Sequence, residues 1–348
     1  MSDPGKPFAA DSTVGEPYAQ ATRVVAVVGS NTFLGRHLVG LLEDDPHVHR
    51  VLSIDGAPPE TARHKTSHFA VDLSRPSAES QLANLFGAEQ ATALIHLGFA
   101  GSPTHDTRYA HEIESVGTMR VVNACRRTTV RKLVMWSQTL LYGAIPTNPN
   151  YLTEAHPLQA QPDEPFFTNK IEAERDVLRF GKPGSGRVAT VLRTAPLLGP
   201  TVDNYLTQYL SQRAVPTILG FDPLWQFLHE ADAVRACSLA LHRDASGPYN
   251  IVGEGVLPLS AVVSLAGRSR LPMPRSVANV TAKTLWLLRR SSIPPTFLDY
   301  LQYLCVADGA RAASALGFVP AYTTRETLLD YASAQRERDA GLAAEKPA

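Results

Sequence analysis

Two glycines, Gly29 and Gly35, punctuate the segment VVAVVGSNTFLGRHL where a short apolar run gives way to apolar residues at helical spacing. A turn of this kind aims backbone N–H groups at a pyrophosphate, and a helix starting near Phe33 and Leu34 adds the positive end of its dipole. Thr32 stands where a middle glycine would allow the closest backbone approach. Its β-carbon obstructs that approach, while its hydroxyl has the chemistry to donate to a phosphate. Twenty residues after Gly35, Asp55 ends the next apolar run. A carboxylate there can accept from the hydroxyls of an adenosine ribose and repels a 2′-phosphate, so the pattern favours NAD over NADP. The run Arg63-His64-Lys65 leaves NADP open. An ordinary strand–helix turn and a solvated turn aspartate are the structural alternatives.

Other chemistry is excluded more readily. His47 with His49, and His64 with His68, lack an acidic or cysteine partner at fixed spacing, so no metal site is expected. Cys125, Cys237 and Cys305 lie far apart and in no CxxC spacing. That argues against a disulfide framework and for a reducing compartment, the cytoplasm. The formal net charge is zero and no dense Lys/Arg cluster occurs, which argues against nucleic acid as a partner. The first twenty residues carry Asp3, Asp11 and Glu16 and no basic segment ahead of an apolar run, so they are not expected to be a signal peptide. No apolar stretch is long enough to predict a transmembrane helix. Val277–Arg290 allows two readings: a basic amphipathic helix docking on membrane or a lipid-like substrate, or a lobe helix whose basic end complements its dipole. The second is the expectation.

The elements that must position these residues follow from periodicity. Val24–Val28 is a continuous apolar run, as a parallel strand buried on both faces requires. Leu38, Val39, Leu41 and Leu42 then recur at helical spacing. Further strands are predicted at Arg50–Ile54, His68–Val71, Ala93–Leu97, Lys132–Trp136 and Ala189–Leu192, with helices between them such as Ile113–Arg127 and Asn169–Phe180. This alternation predicts a parallel sheet covered on both faces. After about Thr194 it weakens, and helical stretches such as Asp232–Leu241 and Leu259–Ala266 predict a smaller lobe over the carboxyl edge of the sheet, where ligands bind.

Taken in order, the segments resemble the NAD-dependent epimerase/dehydratase family, the extended short-chain dehydrogenases, from about Val24 to Ala332. Val71-Asp72-Leu73 is similar to the family's adenine-contacting V-D-L. Ile95-His96-Leu97-Gly98-Phe99-Ala100 is similar to its I-H-L-A-A strand, and Ser115-Val116-Gly117-Thr118 to its N-V-x-G-T helix start, with Ser where Asn is usual. Lys132–Ser137 leads to Tyr142-Gly143 as the family's strand leads to V-Y-G. Thr153-Glu154 resembles its T-E-x-x-P, Leu192-Arg193 with Gly199-Pro200 its L-R and G-P stretch, Phe227–Asp232 its F-x-H-V-x-D, and Gly247–Ile251 its G-x-Y-N-V. The resemblance implies a Rossmann-type doubly wound α/β fold with a smaller C-terminal substrate lobe. Its expected divisions are a disordered tail at 1–22, a dinucleotide-binding domain at 23–195, the lobe at 196–334 with parts returning to the sheet, and a frayed tail at 335–348. It places the cofactor against Gly29, Thr32, Phe33, Leu34 and Gly35, with Asp55, Asp72, Leu73, Leu97 and Gly98 along the strand ends and Lys170 and Pro196 beyond. It also implies a small-molecule substrate and a homodimer through two long helices.

The family's chemistry uses Ser/Thr, Tyr and Lys, the last two as Y-x-x-x-K on one helix face. The ammonium lowers the phenol's pKa and bonds the nicotinamide ribose, and the phenolate exchanges a proton with the substrate hydroxyl. Here Lys170 keeps its place, but the tyrosine position is Phe166 and the Ser/Thr position is Gln138, flanked by Ser137 and Thr139. Tyr142, Tyr151 and His156 are the neighbouring groups that could supply a proton instead. Two functions follow: an epimerase, dehydratase or reductase acting on a nucleotide sugar or another hydroxyl/ketone substrate, or a dinucleotide-binding sensor or structural protein with the chemistry altered.

Overall fold

The structure, a computed structural model, describes residues 23–344 apart from 60 and 62. The tail expected at 1–22 lies outside the described residues. Strand β1 (Arg23–Val28) shows why its run is apolar throughout. Val25 and Val27 pack on one face with Leu34, Leu38 and Leu42 of α1 (Phe33–Asp44), while Ala26 and Val28 pack on the other with Leu82 and Phe86 of α2 (Ala78–Ala88). With both faces buried, no polar position alternates with the apolar ones.

The sheet continues with β2 (Val48–Asp55), β3 (Thr66–Ala70), β4 (Ala93–His96), β5 (Lys132–Gln138) and β6 (Val188–Thr194). Strand Gly247–Ile251 returns from the second half of the chain to pair with β6, giving seven parallel strands in the order Gly247–Ile251, β6, β5, β4, β1, β2, β3. This is the parallel sheet predicted from the alternation, in the doubly wound arrangement that the resemblance implied. The winding direction reverses between β1 and β4, which opens a crevice beyond their carboxyl ends.

Helices α3 (Thr107–His111), α4 (Gly117–Arg126) and α5 (Pro165–Phe180) supply the remaining side chains of the site. Pro165 takes the first position of α5, where its missing N–H is not needed. The helix expected at Ile113–Arg127 is interrupted: a π-helical turn at Glu112–Val116 joins α3 to α4. Such a turn accommodates an extra residue and re-aims its side chains.

Helix Glu230–His242, whose stretch Asp232–Leu241 was expected in the lobe, instead packs with α1 against the sheet, where Ala233, Cys237 and Leu241 share a core with Val25 and Leu38. The lobe has its own apolar core around Leu206, Phe227, Phe297 and Tyr331. Its helices include Tyr205–Leu210, Leu259–Leu265 and Arg275–Leu287. Helix Thr324–Ala344 runs on through residues expected to fray from 335. Arg338 donates to the Pro200 carbonyl (2.8 Å) and Asp339 pairs with Arg268 (3.0 Å), long-range ties that a local polar pattern does not reveal. Among the described residues no helix is long and apolar enough to cross a membrane.

One buried polar network fastens the lobe to the sheet. Glu174 of α5 pairs with Arg193 of β6 at 2.8 Å and accepts from the Ser137 hydroxyl. Arg193 donates to the Tyr142 phenol (3.0 Å), which donates to Asn250 Oδ1 (2.7 Å). The Asn250 amide donates to the carbonyls of Leu152 and Asp308, and its backbone N–H donates to Glu154 (2.7 Å). Glu174→Ala leaves a buried guanidinium without its carboxylate and is expected to cost about 3–5 kcal/mol, read as a lowered urea midpoint. Asp176→Ala, which breaks the exposed pair with Arg179, is expected to cost under about 1 kcal/mol.

Candidate functional site

The crevice between β1 and β4 is built by close backbone approach. Gly29 sits at φ +80°, and a β-carbon there would come within 2.7 Å of Gly98 N and Leu97 C. Gly35 lies against the Gly29 and Ser30 carbonyls and has no room for a side chain either. Thr32 caps α1: its hydroxyl donates to Gly29 O (2.7 Å) and accepts from Gly35 N (3.1 Å). The hydroxyl proton read as a phosphate donor is therefore engaged inside the loop. The free donors are Phe33 N–H and Leu34 N–H, which have no acceptor among the described residues. Asp55 accepts from Asn31 N (2.9 Å) through one oxygen and from Gly56 N (2.7 Å) through the other. Each oxygen keeps a lone pair for a further donor.

Leu73 packs beneath Gly98 and Gly117. The Asp72 carboxylate turns into its own loop, where Ser74 above all, then Arg75, hold its pKa below the ordinary value. Arg63 lies over Gly40 of α1 and Lys65 Nζ bonds the Asp45 carbonyl (3.0 Å). Both lie with the body of α1.

At the catalytic position the structure departs further from the expected chemistry. Phe166 is buried, and the Lys170 ammonium sits 3.7 Å from its ring centroid. Lys170 Nζ donates to Glu114 Oε1 (2.8 Å) and to the Phe166 carbonyl (3.3 Å). Both members of the Lys170–Glu114 pair are only 2% exposed. Burial holds the Lys170 pKa below its ordinary value, opposed by the Glu114 charge. Glu114 Oε1 also accepts from Ala100 N (2.8 Å). The ammonium expected to bond a ribose is thus held by a carboxylate that sequence reasoning missed. The signal was present. Counted back from Gly117-Thr118, the five-residue motif N-V-x-G-T puts its Asn at Glu114, and Ser115 instead bonds Glu172 (2.7 Å). The π-helical turn is what carries Glu114 inward.

Ser137 is tied to Glu174, and Gln138 Oε1 is buried without a partner among the described residues. Tyr142 is locked between Arg193 and Asn250, and burial pushes its pKa up to about 12. Tyr151 is exposed and His156 bonds Thr153.

Beyond the aromatic cluster of Phe166, Phe297 and Tyr205, whose centroids stand 5.1 to 6.4 Å apart, the lobe encloses a cavity of about 210 Å³. Leu140, Pro196, Trp225 and Tyr300 are among its lining residues, with Leu224 and Leu285, which are also exposed. No lining side chain is charged.

Comparison with known proteins agrees with this architecture. The model of the NAD dependent epimerase/dehydratase family matches residues 25–252. An uncharacterized protein of Mycobacterium tuberculosis H37Rv is 29% identical over 321 residues, covering 90% of this chain and 84% of its own. Short-chain dehydrogenase/reductase family 42E member 1 of Macaca fascicularis is 26% identical over 69% of this chain and 65% of its own. Among solved structures, MoeE5 with UDP-glucuronic acid and NAD superposes with a TM-score of 0.69 at 21% identity, covering 91% of this chain and 99% of its own. The UDP-glucose 4-epimerase of Thermotoga maritima with UDP-glucose gives 0.69 at 17% identity, over 90% and 99%. At these identities the two structures show a shared fold.

Beneath Gly98, His96 is fully buried and bonds the Thr118 hydroxyl through Nε2 (2.8 Å). Burial pushes its pKa from 6.5 to about 3. The unfolded chain binds a proton within that window and the folded chain does not. The stability that the neutral ring contributes is therefore full above about pH 6.5 and falls by about 1.4 kcal/mol per unit as pH drops toward 3. His96→Asn is expected to flatten this acid slope in urea denaturations at a series of pH values, and an unchanged slope would contradict the assignment.

Proposed function

The chain belongs to the NAD dependent epimerase/dehydratase family, and from that premise we propose that it binds NAD in the β1–β4 crevice without running the family's phenol-dependent proton transfer. The observation that carries this reading is the Lys170 ammonium held between Glu114 and the Phe166 ring. Neither the phenol nor the cation that would acidify it is available to a substrate, and general acid–base catalysis contributes about 10²–10⁴-fold.

The crevice suits a dinucleotide. Phe33 N–H and Leu34 N–H, backed by the α1 dipole, offer two donors to a pyrophosphate. Asp55 offers acceptors to ribose hydroxyls, and its charge, with Arg63 and Lys65 engaged along α1, favours NAD over NADP. NAD, when bound, supplies a hydride acceptor. The chain's own residues orient it and exclude water. The lobe cavity suits an apolar ligand, since a nucleoside diphosphate would bring charges that no lining side chain can pair. The cytoplasm and a homodimer through two long helices complete this reading.

A second reading, an oxidoreductase acting on an apolar alcohol or ketone, is favoured by Tyr205. Its ring lines the cavity and its hydroxyl has no hydrogen-bond partner among the described residues. Loss of turnover in Tyr205→Phe would support that reading over the first.

Titration calorimetry with NAD(H) and NADP(H) is expected to show tighter NAD(H) binding, and Thr32→Gly is expected to leave that affinity unchanged. No binding of either dinucleotide would overturn the crevice assignment. Against a panel of nucleotide sugars the wild type is expected to be inert. With NAD and apolar secondary alcohols, Phe166→Tyr alone should remain inert because Glu114 still holds the ammonium, whereas Phe166→Tyr with Glu114→Asn should give measurable NAD reduction. Brisk wild-type turnover would overturn the proposal.

A further inference from the structure

The zero net charge conceals a local imbalance. Residues 255–298 carry Arg268, Arg270, Arg275, Lys283, Arg289 and Arg290 and no carboxylate. Arg268 and Arg275 are paired with Asp339 and Asp299. The other four have no carboxylate partner among the described residues.

The same segment exposes apolar side chains. In helix Arg275–Leu287, Ala278, Thr281, Ala282 and Leu285 line the cavity, at spacings of three, four and seven. Val280 and Leu287 each lie two positions on from a lining residue, about 200° around the helix, and are 65% and 82% exposed. The helix therefore turns one apolar face toward the cavity and, on the opposed face, exposes Val280 and Leu287 with Lys283 between them. Leu271 of the adjoining strand and Leu219, Phe221 and Leu288 are exposed as well. Phe221 packs against Tyr303, a cavity-lining residue (6.2 Å between centroids).

The helix is anchored. Trp286 stacks on His105 at 3.8 Å, and His105 bonds the Ser291 carbonyl (3.0 Å). Arg289, at φ +53°, ends it in a left-handed conformation that glycine would adopt without strain. That turn sets Arg289 and Arg290 beside Leu287 and Leu288.

We propose that this face docks on an anionic lipid bilayer surface, with Val280 and Leu287 entering the interface and Arg270, Lys283, Arg289 and Arg290 facing the headgroups. A second copy of the chain is a poor occupant, because a two-fold contact would set the same unpaired cations against each other. An amphipathic face with flanking cations matches the forces that hold a peripheral protein to acidic lipid.

Flotation with vesicles tests the docking without NAD, so its outcome is separate from that of the dinucleotide reading. The wild type is expected to float with vesicles of phosphatidylcholine and phosphatidylglycerol, not with phosphatidylcholine alone, and less at high salt. The combined change Lys283→Gln, Arg289→Gln and Arg290→Gln should lower partitioning roughly a hundredfold. Val280→Asp with Leu287→Asp should abolish it, with the circular dichroism spectrum unchanged since both positions are exposed. Absence of binding to the acidic vesicles, or binding indifferent to salt and to both sets of changes, overturns the proposal. So does a dimer that the Asp pair dissolves in a chain that never binds vesicles.

Discussion

Glu174 and Arg193 leave water together, and much of the molecule is arranged around that event. Neither charge could be buried alone, since an isolated ion in a protein interior loses several kcal/mol of hydration. Paired at 2.8 Å, they become the hub of a network that takes in Ser137 of β5, Tyr142 beyond it, Asn250 of the returning strand and the Glu154 carboxylate. Those residues come from separate parts of the chain, so the network holds the lobe's connections against the sheet edge. The residues that make the sequence resemble its family in this region are largely these. Their role in the structure is to satisfy one another.

The second buried pair, Glu114 with Lys170, rests on the same physics with a different consequence. Burial withdraws the ammonium from bulk solvent, and Phe166 contributes only the negative face of its ring. Glu114, carried inward by the π-helical turn, supplies the missing charge. The arrangement keeps a lysine in the place where proton-transfer chemistry would need it while committing its ammonium to Glu114. The aromatic rings of Phe166, Phe297 and Tyr205 complete the separation by standing between that pair and the lobe cavity.

The lobe follows another logic. Its interior is apolar and uncharged, and the cations of the segment that walls the cavity are left at the surface. Segregating charge outward and apolar surface inward is ordinary for a folded domain. Exposing apolar residues among those cations is not, because each such side chain in water forgoes burial of roughly 25 cal/mol per Å².

By itself the sequence determined what depends on local pattern. Continuous β-branched runs dictate strands buried on both faces, and their alternation with helical spacing dictates a parallel sheet covered on both faces. Gly29 and Gly35 mark a backbone that must approach closely, and Asp55 marks the end of β2. Tertiary structure alone decided what depends on side chains meeting from distant segments. Thr32 turned its hydroxyl into its own loop, and helix Thr324–Ala344 was extended through a polar stretch by partners at Pro200 and Arg268. The Val277–Arg290 stretch, read as a lobe helix, proved to leave Val280 and Leu287 exposed opposite the cavity, because a hydrophobic pattern records which residues are apolar and not which of them find a neighbour. The fate of Lys170 was decided the same way. Its spacing from Phe166 is written in the chain, but its charge partner lies 56 residues away and meets it only because a turn of π-helix aims Glu114 at α5.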